Sequence, residues 1–141
     1  MEQRTDTLQA LQEAQRLYHG SKYMDRQSRH DAVISLSEWG LFTTSQLSQI
    51  SGMSVSTIHG MGLKKGGGAG KFNPMSLDTL IQIRLGYNNG RPVSGMLLKI
   101  AIDEGNSHRV ISKFTGLSTS SISRKLNEYN NSDLLGAAAQ R

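Results

Sequence analysis

One pattern occurs twice in this chain, without a gap, and it limits the folds open to it. Ser107-His108-Arg109-Val110-Ile111-Ser112-Lys113-Phe114-Thr115-Gly116-Leu117-Ser118-Thr119-Ser120-Ser121-Ile122-Ser123-Arg124-Lys125-Leu126 is the clearer copy. The other runs from Thr44 to Met61, and its Gly52 stands 64 positions before Gly116. At that offset Leu47 falls on Ile111, Ser48 on Ser112, Ile50 on Phe114 and Gly52 on Gly116. Met53 falls on Leu117, Ser54 on Ser118 and Ile58 on Ile122. The register extends backwards, with Ala32–Leu36 on Met96–Ile100. A match at so many structural positions implies an internal duplication, and a duplication dictates architecture.

The residues say what each copy forms. Ile111 and Phe114 give a short helix one apolar face, and Ser112 is small enough for two helices to cross there. Gly116 supplies the positive φ of a tight turn at no steric cost. Leu117 plugs the turn into a core, and Ser118 is a natural N-cap for the next helix. Ile122 and Leu126, at i and i+4, seat that helix on the first. Its outer face then carries Thr119, Ser120, Ser123, Arg124 and Lys125, which are hydroxyl-bearing or cationic. Such a face suits the major groove, where donors meet base edges and positive charge meets phosphates. The expected architecture is all-α with tandem helix-turn-helix: two three-helix units joined by a Gly-rich loop and a connecting helix. Along the chain this divides into an N-terminal helix and basic arm (1–28), the first unit (29–63), a Gly/Lys-rich linker and connecting helix (64–92), the second unit (93–128) and a C-terminal tail (129–141).

Charge supports an anionic partner. The net charge is +5, and its placement says more than its total. No Asp or Glu lies between Glu38 and Asp78, or between Glu104 and Glu128. The first acid-free window carries Lys64, Lys65 and Lys71; the second carries Arg109, Lys113, Arg124 and Lys125. A surface without a partner mixes the signs. Hydrophobic residues make up 36% and aromatics 6%, so the core is modest and aliphatic. There is no cysteine, which excludes disulfides, thiolate metal sites and cysteine nucleophiles. No apolar run approaches the ~18 residues of a membrane span, and the N-terminus shows no apolar signal core. A cytoplasmic protein is expected.

Thr7 to Tyr18 reads as a helix ended by Gly20, with Leu8, Leu11 and Tyr18 able to share a face. That face either docks on the rest of the chain or joins copies into a homo-oligomer. Arg26 and Arg29 precede the first unit; a solvated surface is the ordinary reading of either one, and a phosphate contact is the functional one. Asp31 to Trp39 reads as the first helix of that unit, with Trp39 in the core, and Thr44 as the cap of the next. Ser76 is expected to cap a helix running to about Tyr87, and Met96 to Ile102 to open the second unit. The stretch Lys64-Lys65-Gly66-Gly67-Gly68-Ala69-Gly70-Lys71-Phe72 invites comparison with a phosphate-binding loop of nucleotide hydrolases, but fails it. Lys65 stands where the motif needs its first Gly, and Phe72 where it needs Ser or Thr. The stretch reads instead as a basic linker whose free N–H groups and lysines can approach a DNA backbone.

Catalytic patterns are missing. His19, His30, His59 and His108 form no i,i+4 pair and adjoin no carboxylate cluster, so no metal site is expected. The serines form neither a Gly-x-Ser-x-Gly elbow nor a Ser-x-x-Lys pair. The chain is read as no enzyme, and as needing no cofactor.

Thr115-Gly116-Leu117-Ser118-Thr119-Ser120-Ser121-Ile122-Ser123-Arg124 resembles the DNA-binding domains of resolvases, with their small-Gly-apolar-Ser-x-Ser-x-Ile-x-Arg pattern. The wider likeness is to bacteriophage and bacterial helix-turn-helix proteins. It implies double-stranded DNA as partner and a phage transcriptional repressor or regulator as leading role, acting in the host cytoplasm. A phage small terminase subunit, assembling as a ring, is the alternative; a protein-interaction module without DNA is the third. The resolvase catalytic domain has no counterpart here. The pattern puts Ser118, Thr119, Ser120, Ser123 and Arg124 in the groove, with Lys125, Arg109 and Lys113 as further cations. In the first copy Ser54, Val55, Ser56 and His59 hold the equivalent face, with Lys64, Lys65 and Lys71 toward phosphate. Gly60 replaces the arginine there, and Gly62 follows. At ~1 kcal/mol of helix propensity each, they predict a short helix with less base readout, or a copy kept for packing.

Overall fold

Short polar side chains set where the helices begin. The chain is described from a computed structural model covering residues 7–63 and 70–139, with side chains as far as Asn131. Among the described residues all regular structure is helical: α1 (Thr7–Gly20), α2 (Arg26–Ser37), α3 (Thr44–Ser51), α4 (Val55–Gly60), α5 (Leu77–Asn88), α6 (Gly95–Asp103), α7 (His108–Thr115) and α8 (Thr119–Ala139). Two 3-10 turns, Ser21–Tyr23 and Pro74–Ser76, precede α2 and α5.

Asp25, Thr43, Ser54, Ser94 and Ser107 each accept a backbone N–H of the helix that follows. Two sequence expectations shift as a result. The cap of α3 is Thr43, not Thr44: Gln46 N donates to Thr43 Oγ1 at 3.1 Å while Thr43 N donates to Gln46 Oε1 at 3.0 Å, a reciprocal capping box. And α2 starts five residues before Asp31, at Arg26, because Asp25 Oδ1 accepts Ser28 N at 2.7 Å. That hydrogen bond, with a second from the Ser28 side chain, holds the Asp25 carboxyl below its ordinary pKa. The cap therefore contributes stability above the ordinary carboxylate range and loses it as pH falls through the lowered value.

The offset of 64 survives as geometry. It carries the bounds of α3 onto those of α7, and the start of α4 onto the start of α8. Gly52 has φ 76° and its N–H donates to Ser48 O; Gly116 has φ 90° and donates to Ser112 O. Beyond the turn the copies part. α4 stops at Gly60, whereas α8 runs unbroken to Ala139, so residues 129–139 continue a helix.

The two copies share one interior. Buried residues from every segment up to residue 128 form a single cluster. α1 and α5 lie at its centre: α1 packs on α2, α3, α5 and α7, and α5 on α1, α6 and α7. Ala10, Leu11, Ala14 and Leu17 turn α1's apolar face into this cluster, so the stripe docks within the chain. Phe114 of α7 meets Phe42 of the first copy and Phe72 of the linker, each with ring centroids 5.4 Å apart and near edge-to-face.

A polar seam runs beside these rings. Ser107 N donates to Lys71 O at 2.9 Å, and Gln49 Nε2 of α3 to Phe72 O at 2.9 Å. Asn73 Nδ2 donates to Glu104 O at 2.7 Å, and its backbone N–H to Asn106 Oδ1 at 3.1 Å. Asn106, 3% exposed, donates in turn to Ser76 Oγ at 2.7 Å and Ala101 O at 2.8 Å. Ser76 does not cap α5, as its hydroxyl donates back to Asn73 O. Trp39, half-buried beyond the end of α2, donates to Glu13 Oε2 at 3.0 Å.

Asn106→Ala strips partners from the half-buried Asn73 N–H and the buried Ala101 carbonyl, so a loss of about 1–3 kcal/mol is expected. Urea unfolding followed by Trp39 fluorescence in one half and by far-ultraviolet circular dichroism for the whole should still give one coincident transition. Separate midpoints for the two signals would contradict a shared core.

Candidate nucleic-acid interface

In α8, Ile122 is fully buried, which turns the opposite face of the first turns outward. Ser118, Thr119, Ser120, Ser123 and Arg124 are all exposed, as the sequence pattern requires. Ser118 is partly spent on the helix, accepting Ser121 N at 3.1 Å and bonding its hydroxyl at 3.0 Å. Ser123 Oγ lies 3.5 Å from His108 Nδ1, tying α8 to the start of α7. Arg109 and Lys113, one turn apart on α7, are also exposed. Lys125 differs from the others: it is half-buried, and its main chain lies against α6. A Cβ added to Gly95 would sit 2.9 Å from Lys125 O and 2.7 Å from Tyr129 Cβ, so only glycine lets the helices approach there. Asn127, outside the repeated pattern, is exposed and reaches the same outer face one turn beyond Ser123.

The first copy shows the same layout with less charge. Ile58 is buried, while Ser54, Val55, Ser56, Thr57 and His59 are exposed. Val55 is 49% exposed, an apolar group at a polar surface. Thr57 bonds Ser54 Oγ through its hydroxyl at 2.7 Å. Ser45 and Gln49 stand where α7 has Arg109 and Lys113, and Gly60 stands where α8 has Arg124. Lys71 is exposed at the polar seam, whereas Lys64 and Lys65 lie outside the described residues.

The turns differ in their backing. The Arg84 guanidinium lies 5.2 Å from the Tyr87 ring centroid, and both side chains close on Gly116. A Cβ at Gly116 would collide with Arg84 Nη1 and lie 2.9 Å from Tyr87 Cε1, whereas one at Gly52 would meet nothing within 4 Å. Arg84 Nε is shielded from solvent and has no hydrogen-bond partner among the described residues. α5 thus props the α7–α8 turn and leaves the α3–α4 turn open. The only hint in the sequence was the i,i+3 spacing of Arg84 and Tyr87.

Among the described residues no group of His, Asp or Glu is placed to hold a metal ion, and no helix is long and apolar enough to cross a membrane. No protein-family model matches the chain, nor does any curated protein or solved structure.

The contrast between the turns is measurable. Gly52→Ala should cost about 1–2 kcal/mol, the expense of a Cβ at positive φ. Gly116→Ala should cost about 0.5–1.5 kcal/mol more, from turning the Arg84 tip and the part-exposed Tyr87 ring off their rotamers. Equal shifts in the denaturation midpoints of the two variants would refute the bracing role given to α5.

Proposed function

We propose that this chain is a sequence-specific double-stranded DNA-binding protein, of the phage transcriptional repressor or regulator kind. In this reading α2–α4 and α6–α8 act as tandem helix-turn-helix units, with α4 and the start of α8 as reading helices. One observation carries it. Two helices with matching caps and left-handed glycine turns each bury one isoleucine, Ile58 or Ile122, and turn hydroxyl-bearing side chains outward.

The physical division of labour follows from the residues. Arg124 is the side chain suited to grip guanine O6 and N7 in a bidentate pair, worth about 1–3 kcal/mol of discrimination. Ser120, Ser123 and Thr119 supply shorter-range donors and acceptors beside it. Arg109 and Lys113 approach the backbone, adding affinity without sequence information. On α4, Val55 offers a methyl contact to thymine and Ser56 and His59 polar ones. In this reading the two helices of one chain occupy two successive major grooves, ~34 Å apart, on a site that need not be palindromic.

Selection from random duplexes, followed by footprinting at known stoichiometry, tests the reading. One chain should protect a site longer than a single helical turn. Arg124→Ala should weaken the selected site by roughly five- to hundredfold, the range set by that guanine contact, and random duplex much less. Equal losses on both would make Arg124 a phosphate contact. A footprint of one turn per bound chain would leave α4 without a reading role.

A further inference from the structure

The two copies keep their cations in different places. α7 and α8 carry Arg109, Lys113 and Arg124, and the matching positions of α3 and α4 are Ser45, Gln49 and Gly60. At the start of α2 the imbalance reverses. Arg26, Arg29 and His30 stand where the second copy has Gly90, Val93 and Ser94. Helical spacing puts these three on one face of α2, the face that also buries Val33. Together with Met53, Ser54 and Thr57 they line a cleft of about 310 Å³ between α2 and α4.

The groups in this cleft are suited to an oxyanion. Arg26 is exposed and makes no hydrogen bond or ion pair among the described residues. Arg29 is anchored, its Nη2 donating to Ser21 O at 2.9 Å and Met24 O at 3.3 Å. That leaves Arg29 Nε shielded from solvent with no partner among the described residues, an unusual state for a strong donor. Thr57 and Ser54 bring hydroxyls from the α4 side, and Met53 gives an apolar wall. The acids nearby are engaged elsewhere: Asp25 caps Ser28, and Asp31 accepts Gln27 Nε2 at 3.0 Å. Neither lines the cleft.

We infer that this cleft seats a phosphodiester of the duplex backbone, and so supplies the first copy with the anchorage that α3 and α4 lack. Arg26 makes the direct contact, and Arg29, held beside it by its bonds to Ser21 O and Met24 O, adds fixed positive charge to the cleft wall. The inference rests on the DNA-binding reading and deepens it, since a phosphate held beside Ser54 sets α4 against the groove. It also assigns a sequence-independent role to residues outside both reading helices.

Arg26→Gln is the variant to test, because Arg26 has no structural partner to lose and the melting temperature should stay unchanged. Duplex binding is measured by fluorescence anisotropy across a salt series, on a selected site and on random sequence. Removing one phosphate contact should make the slope of log K against log salt shallower by about 0.9. Affinity should fall by the same factor on both duplexes, leaving the preference between them intact. The Arg29 Nε–Hε resonance should shift when unlabelled duplex is added to the wild type. An unchanged slope and a stationary Arg29 signal, with Arg124→Ala still weakening the selected duplex, would overturn the cleft assignment and leave the DNA reading standing. A wild type that binds neither duplex would overturn both.

Discussion

Phe114 is the contact on which the arrangement depends. It is fully buried in α7, yet its two ring partners come from elsewhere in the chain: Phe42 from before α3 and Phe72 from the linker. The Asn73–Asn106 seam runs alongside, closing hydrogen bonds between the linker and the loop before α7. Aromatic burial gives the seam its dry setting, and a dry setting makes unmet hydrogen bonds costly. The duplicated segments are therefore joined through a common interior and a short, well-bonded piece of backbone. Ile58 of α4 and Ile122 of α8 are both rooted in one shared core.

Within that unit the copies have diverged in opposite ways. The second copy is reinforced. α5 braces its turn through Arg84 and Tyr87, α6 closes on α8 at Gly95, and α8 runs on for several further turns. The first copy is abbreviated. α4 ends at Gly60, its turn is unbacked, and it carries no Lys or Arg. A long, braced helix bearing Arg124 suits discrimination between bases. A short helix beside a cationic cleft suits attachment to the backbone.

The repeated pattern made the two helix–glycine–helix segments legible from the chain alone, because a left-handed glycine, an apolar plug and a hydroxyl cap are local requirements. Near misses also had local causes. Thr43 and Thr44 are chemically equivalent, and only the reach of Gln46 back to the Thr43 N–H selects between them. The true start of α2 is silent in the sequence, because Asp25, followed by a basic and polar turn, gives no apolar periodicity to announce a helix. What could not be read was the long-range part. Nothing in the spacing says that Asn106 will satisfy Asn73, or that Gln49 will spend its carboxamide on Phe72 O. The candidate interface divided along the same line. Outward residues of α8 followed from periodicity, whereas the half-burial of Lys125 and the meeting of Arg26, Arg29 and His30 with Thr57 depend on neighbouring helices.

The central claim is that one folded unit offers both reading helices to the same duplex. Amide chemical-shift mapping during titration with a selected oligonucleotide tests it most directly. The account predicts that Ser54–His59 and Ser118–Arg124 shift together at a single stoichiometric endpoint, while buried amides around Phe114 stay in place. Shifts confined to α8, or centred instead on the exposed Met96 and Ile100 of α6, would contradict it.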